Sequence, residues 1–334
     1  MRKGYVIIIV IIFIFALFAD LFYNISHLSF KDLFTFNFTD SQKLILYEFR
    51  IPKALSAVLV GTALSVSGFQ MQTIFRNPLA GPYILGISSG ASLGVALVIM
   101  ASAWLNLSLS NYFVSNLLLI ISAFIGSSLV LILILFISKK IKNVLTILIF
   151  GVLFGYLISS VVNILQYFTS NNSLKSFFVW TMGSLGNTSL QDTLVFGIIV
   201  IIGFLISLIL SKKLNILMLG EDYAQTSGVN VKKVRILLFL STSLLAGSVV
   251  AFCGPIGFIG ITVPHIVRII FKTSSAVTIQ ISAVFIGSII MLVSDIISQI
   301  IFTNVVLPIN SITAFFGIPV IFYILLSKKE IISI

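Results

Sequence analysis

Leu219-Gly220-Glu221-Asp222-Tyr223-Ala224-Gln225-Thr226-Ser227-Gly228 separates two very apolar halves of the chain. These ten residues hold two of only nine acidic residues among 334. The segment is polar, helix-prone and ends in glycine, and long hydrophobic runs flank it. It reads as a stretch outside a membrane-embedded body, shaped to dock a soluble partner.

The flanking sequence supports that body. Hydrophobic residues make up 59% of the chain and charged residues 9%, with a mean hydropathy of +1.20. Soluble domains carry about 25% charged residues, so lipid is the solvent implied here. A spanning helix takes roughly 20 apolar residues. Ten spans are expected, at about 4–23, 53–74, 83–103, 113–137, 143–167, 192–211, 234–252, 256–271, 278–302 and 312–327. The first run, after Met1-Arg2-Lys3, exceeds a signal-peptide core and no A-x-A site follows it, so it reads as an uncleaved helix.

Charge orients the spans. With the N-terminus in the cytoplasm, fifteen of the 20 Lys and Arg residues fall inside: Arg2, Lys3, Arg76, Lys139, Lys140, Lys142, Lys212, Lys213, Lys232, Lys233, Arg235, Arg268, Lys272, Lys328 and Lys329. Lys31, Lys43, Arg50, Lys53 and Lys175 fall outside. Positive residues accumulate on the cytoplasmic side of membrane proteins, and an even span count preserves this asymmetry. The net charge of +11 is therefore a topology signal, and nucleic acid is not an expected partner.

Small residues recur at helical spacing: Gly61, Ser65 and Gly68; Gly86, Gly90 and Gly94; Gly151 and Gly155. In lipid they let backbones approach closely, and they also leave room where a wide pathway is lined. The run Gly254-Pro255-Ile256-Gly257-Phe258-Ile259-Gly260-Ile261-Thr262-Val263-Pro264-His265 cannot sustain a regular helix throughout. Broken backbone at membrane depth needs protein or a water-filled cavity around it. Asp295 lies within the ninth span and reads as a capping or helix-pairing group. An ion-coupled secondary transporter is the alternative of another class, and it needs charges at a midplane site. The sequence has no G-x-x-x-x-G-K-[ST] phosphate loop, no hydrolytic triad spacing and no Cys/His metal cluster, and the single Cys253 excludes an internal disulfide.

Six separated motifs resemble those of the FecCD-type permeases. Arg50-Ile51-Pro52-Lys53 is similar to the R-[IL]-P-R that opens that family's second span. Gly61 to Gly68, Met71-Gln72, Asn77-Pro78-Leu79-Ala80 and Leu85-Gly86 are similar to its G-x-x-L-x-x-S-G, M-Q, N-P-L-A and L-G block. Trp180 with Gly183-Ser184-Leu185, the 219–228 segment, residues 254–268, and Leu307-Pro308-Ile309 with Gly317-Ile318-Pro319 complete the series in order. Lys53, Ser227, Gln299 and Asn310 depart from the family pattern, and Phe271-Lys272-Thr273-Ser274-Ser275 replaces a more charged stretch.

The resemblance implies an all-α, polytopic permease with both termini cytoplasmic and one transmembrane domain over 1–334. It implies a coupling loop at about 214–233, in which Leu219, Gly220, Glu221, Ala224 and Gly228 transmit motion from two cytoplasmic ABC ATPases. Gly220 would set the turn and Glu221 would face the ATPase. Arg50 and Lys53 would dock an extracytoplasmic binding protein. Gly61, Ser65, Gly68, Gly86, Gly90, Gly257, Gly260, Pro264 and His265 are the candidates for pathway or gating. A second permease, as homodimer or sister chain, completes the importer in a bacterial cytoplasmic membrane. ATP and Mg would bind the ATPase, and this chain would bind no cofactor. A ferric siderophore is the expected cargo, with haem or a corrinoid such as vitamin B12 as alternatives.

Overall fold

Thr39 starts the helix around which the others assemble. Its hydroxyl caps Gln42 N–H, and the Gln42 side chain returns a 2.9 Å bond to Thr39 N–H, a capping box. In this computed structural model, which describes residues 3–23, 38–104, 112–141, 143–301 and 306–326, that helix runs unbroken over Asp40–Phe75. It begins thirteen residues before the expected span. The extension survives Pro52 because a π-helical turn, Ile45–Arg50, directly precedes it. Proline lacks the N–H and crowds the preceding turn, and a wider turn relieves both defects. Lys31 lies outside the described residues, as do Arg2, Lys142, Lys328 and Lys329.

The described chain is all helical. We number the helices α1 (Lys3–Phe22), α2 (Asp40–Phe75), α3 (Ile87–Trp104), α4 (Tyr112–Lys140), α5 (Val144–Tyr167), α6 (Asn171–Thr181), α7 (Leu190–Ile209), α8 (Ser211–Leu219), α9 (Glu221–Thr226), α10 (Val231–Cys253), α11 (Ile259–Phe271), α12 (Ala276–Ile300) and α13 (Ile309–Leu326). A helix coincides with each of the ten expected spans. Among the described residues, seven (α1, α2, α4, α5, α7, α10 and α12) are long and apolar enough to cross a bilayer, and α3, α11 and α13 contribute shorter apolar helices.

Burial separates an inner pair from an outer ring. The apolar windows of α2 and α10 are 83% and 78% buried, against 11–28% for α1, α4, α5 and α7. The inner helices pack on each other, and α2 also receives α7, α11 and α12. Their sequences suit this position, being rich in Ser, Thr, Gly and Ala where the outer helices carry Ile, Leu and Phe. Glycine permits the closest crossings. A methyl group on Gly61 would collide with the Gly287 carbonyl of α12, one on Gly68 with Gly260 of α11, and one on Gly90 with Gly126 of α4. Buried polar groups pair between helices as well: Gln70 donates to Ser241 of α10 at 2.8 Å, and Ser65 donates to the Ala283 carbonyl of α12 at 2.9 Å.

The broken stretch 254–258 is tied to the bundle by hydrogen bonds, with Gly254 and Ile256 buried and Pro255, Gly257 and Phe258 partly exposed. Asn310 Oδ1 accepts the Gly257 N–H at 2.9 Å, and Ser184 N–H donates to the Cys253 carbonyl at 2.8 Å. Phe258 (φ 68°, ψ −36°) centres a γ-turn closed by Ile259 N–H on the Gly257 carbonyl at 2.8 Å, and its side chain rests on Gly317 of α13. Asn310, a departure from the family pattern, thus supplies an acceptor that glycine lacks.

Candidate functional site

The 211–229 segment leaves the bundle as two short helices set at an angle by Gly220. At φ 133° and ψ 147°, Gly220 occupies a conformation open to glycine, and the Arg76 guanidinium lies 3.0 Å from where a Cβ would stand. Leu214, Leu217 and Ala224 are buried and seat the pair on the bundle. Asn215 Oδ1 accepts Ala276 N–H at 2.7 Å, tying α8 to the start of α12. At the far end, Val229 N–H donates to the Ala224 carbonyl at 2.9 Å and Gly228 has φ 79°, a glycine-terminated helix end that consumes the last carbonyls.

Glu221 anchors this piece to the inner helix α10. Its carboxylate meets Arg235 Nη2 at 2.6 Å, with the two side chains 33% and 7% exposed. Its charge turns toward Arg235, and one third of it stays accessible. The outward surface is instead built by Leu219 and Tyr223, 69% and 54% exposed, beside Asp222 and Gln225. A large apolar residue and an aromatic on a braced, polar-rimmed protrusion can fill a groove on a partner and pass on its displacement as a rigid body.

A second polar assembly sits at the other end of α2. Lys53 Nζ contacts Asp295 Oδ2 at 2.9 Å. Gln299 Nε2 donates to the same carboxylate at 2.8 Å while its Oε1 accepts from Arg50 Nη1 at 2.7 Å. Asp20 of α1 is buried beside Asp295. The structure therefore gives Asp295 the helix-pairing role read from sequence, and adds Asp20, which lies 275 positions away in the chain. Lys53 is 15% exposed and engaged with a carboxylate, so it stands as an internal partner as well as the second expected docking cation. Arg50 is half-buried.

The expected pathway residues divide. Gly61, Gly68, Gly90 and Gly260 sit at helix crossings, Ser65 bonds to α12, and Gly257 bonds to Asn310. Pro264 is buried within α11. His265 is fully buried and its Nε2–H donates to the Pro78 carbonyl at 2.8 Å, while Arg268 Nη1 donates to Gln72 Oε1 at 2.9 Å. The first bond clamps the 76–86 turn onto α11, and the second ties α11 to the last turn of α2. Gly86 alone among these nine lines a groove of about 220 Å³ with Tyr83, Ser89, Gly151, Gly155 and Ser159. Tyr83, Ser89 and Ser159 are polar groups there that periodicity did not single out, although the Gly151–Gly155 stripe marks the helix opposite.

Among the described residues no group of three or more His, Cys, Asp or Glu could hold a metal. The chain matches the model of the FecCD transport family over residues 9–327. It is 33% identical to the hemin transport system permease protein HmuU of Yersinia pestis over 307 residues, covering 91% of this chain and 89% of that protein. It is 31% identical to the vitamin B12 import system permease protein BtuC of Vibrio parahaemolyticus over 290 residues, covering 86% and 84%. A solved metal-chelate type ABC transporter chain in an inward-facing conformation superposes with a TM-score of 0.84 at 27% identity, over 98% of this chain and all of that one.

Proposed function

We propose, for a chain that belongs to the FecCD transport family, that it is the membrane permease of an ABC importer moving a chelated metal, and specifically a ferric siderophore. Relatives are named for hemin and for vitamin B12, and the structural neighbour for a metal chelate. All three ligands are large and carry their metal already enclosed. A translocating chain has no need to coordinate such a metal itself.

The observation that carries this reading is the braced protrusion α8–Gly220–α9. In the proposal a cytoplasmic ATPase seats Leu219 and Tyr223, and ATP binding there displaces the pair as one body. Glu221 and Arg235 pass the displacement to α10, which packs directly on α2, α4 and α7. In this reading the chain crosses the membrane ten times, with this protrusion and both termini in the cytoplasm. The assembly holding Arg50 falls on the opposite face, where a binding protein delivers cargo. Charge on such a rim steers encounter and sets register. A second permease copy or a sister chain completes the pathway, in a bacterial cytoplasmic membrane. The ATPase carries ATP and Mg, and this chain carries no cofactor.

Uptake of radioactive iron tests the assignment, in cells lacking the gene and supplied with a panel of ferric siderophores, haem and, separately, labelled corrinoid. A defect confined to one or a few siderophores, restored by the wild-type gene, supports the proposal. A defect for haem alone transfers the cargo to haem, the ligand named for the relative that is 33% identical. Uptake that persists without any ATPase partner and collapses with an ionophore overturns the importer reading.

A further inference from the structure

We infer that the cavity between the end of α4 and the α9–α10 connection is a binding site for the phosphate group of an anionic membrane lipid. The cavity encloses about 540 Å³. Lys139, Lys140 and Lys232 line it. The lining acid, Glu221, is neutralised by Arg235 on the same wall, so the three lysines leave an excess of positive charge. Ser138 adds a hydroxyl that is buried and has no hydrogen-bond partner. A phosphate oxygen supplies the acceptor that this hydroxyl lacks. The first turn of α10, a 23-residue helix, also faces the cavity through Val231 and Lys232, and its partial positive charge favours an anion.

The surroundings select a lipid as the source of that phosphate. The lysine pair ends α4, one of the helices long and apolar enough to cross a bilayer, and the end of such a span meets the headgroup layer. Ile125, Leu129, Ile132 and Phe136 are exposed at three- and four-residue spacing along α4 and lead up to the pair. They form a continuous apolar track for acyl chains. Lys140 Nζ lies 4.9 Å from the Phe136 ring centroid, which joins the track to the cationic mouth. Headgroup and tails thus meet complementary surfaces at matching depths, whereas a free phosphate uses only the mouth. Gln225 and Gly228 line the same cavity, so a bound lipid touches the braced segment itself.

The test is native mass spectrometry of the full chain, with co-purifying subunits retained. It is titrated with phosphatidylglycerol, with phosphatidylcholine of the same acyl composition, and with inorganic phosphate. We expect tighter binding of phosphatidylglycerol, with the preference falling about fivefold for each lysine removed in K139Q, K140Q and K232Q. Ser138→Ala weakens it without altering net charge. The control K212Q/K213Q, at exposed lysines outside the cavity, leaves the preference intact. Equal binding of the two lipids overturns the site. An equal loss in the control reduces it to general surface charge and also overturns it. Displacement of phosphatidylglycerol by millimolar inorganic phosphate assigns the site to a free anion and refutes the lipid.

Discussion

Breaking the Glu221–Arg235 pair is expected to loosen the protrusion while the bundle stays folded. The bond is short and charge-assisted, at 2.6 Å, with Arg235 almost sealed from solvent and Glu221 one-third exposed. A fully buried pair costs about 3–5 kcal/mol to break by removing one partner, and an exposed pair about 0.2–1. The mixed exposure puts Glu221→Gln between these limits, at about 2 kcal/mol. That corresponds to a roughly thirtyfold loss of amide-exchange protection. It should be confined to residues 221–229, because Leu214, Leu217 and the Asn215 bond hold α8 separately. The assay is hydrogen exchange read by mass spectrometry on the purified chain, for Glu221→Gln, Arg235→Gln and the double variant. In the assembled importer, Glu221→Gln should also raise ATP turnover without transport. A double variant equal to the sum of the singles, or protection lost across α10 as well, would refute the idea that this pair braces the protrusion.

Three other outcomes follow from packing and polar pairing. Gly68→Ala should sharply reduce folded protein in membranes, since its methyl collides with Gly260 backbone, while Gly186→Ala, with open space around it, should behave as wild type; membrane yield and thermal unfolding read both. Lys53→Met should destabilise by about 3 kcal/mol by leaving the Asp20–Asp295 region without its ammonium group, and Lys53→Met/Asp295→Leu should recover most of the loss in a detergent thermal-shift assay. Asn310→Gly should lower the unfolding midpoint by an amount equivalent to about 1–3 kcal/mol, because Gly257 N–H loses its acceptor; an unchanged midpoint would mean water takes Asn310's place.

Hydropathy revealed the helices because lipid acts on each segment separately. A run such as Tyr5 to Phe22 announces itself regardless of what surrounds it. Gly220 and Gly228 were legible for a related reason, since a backbone bend needs a local residue. Asp40 to Arg50 was hidden, because its charged and aromatic residues resemble a loop and its helical state depends on the Thr39 cap and the π turn before Pro52. The α6 helix was missed likewise, being short and started by a Ser170 cap. Pairings across the chain carried no sequence signal. Asp295 read as a capping or helix-pairing group without a named partner, and nothing in the sequence pointed to Asp20 or Lys53 beside it, or to the Arg235 contact of Glu221. Asn310 looked like a lost glycine, and its value rests on one amide nitrogen 53 positions earlier.

The deep position of α2 has a consequence for how the protein is made. This helix is the least apolar of the seven long ones and the most buried. It leaves the ribosome second, and the surfaces that enclose it, α10, α11 and α12, end as late as Ile300. At about 5–20 residues per second, roughly ten to fifty seconds pass between the completion of α2 and the completion of α12. Over that interval its serines, threonines and glutamines face lipid or the insertion machinery in place of their eventual partners. Biogenesis of this chain is therefore a matter of holding its centre before its shell exists. A synthesis that stops between α2 and α12 leaves a polar-faced helix stranded in the bilayer, an obvious target for membrane quality control.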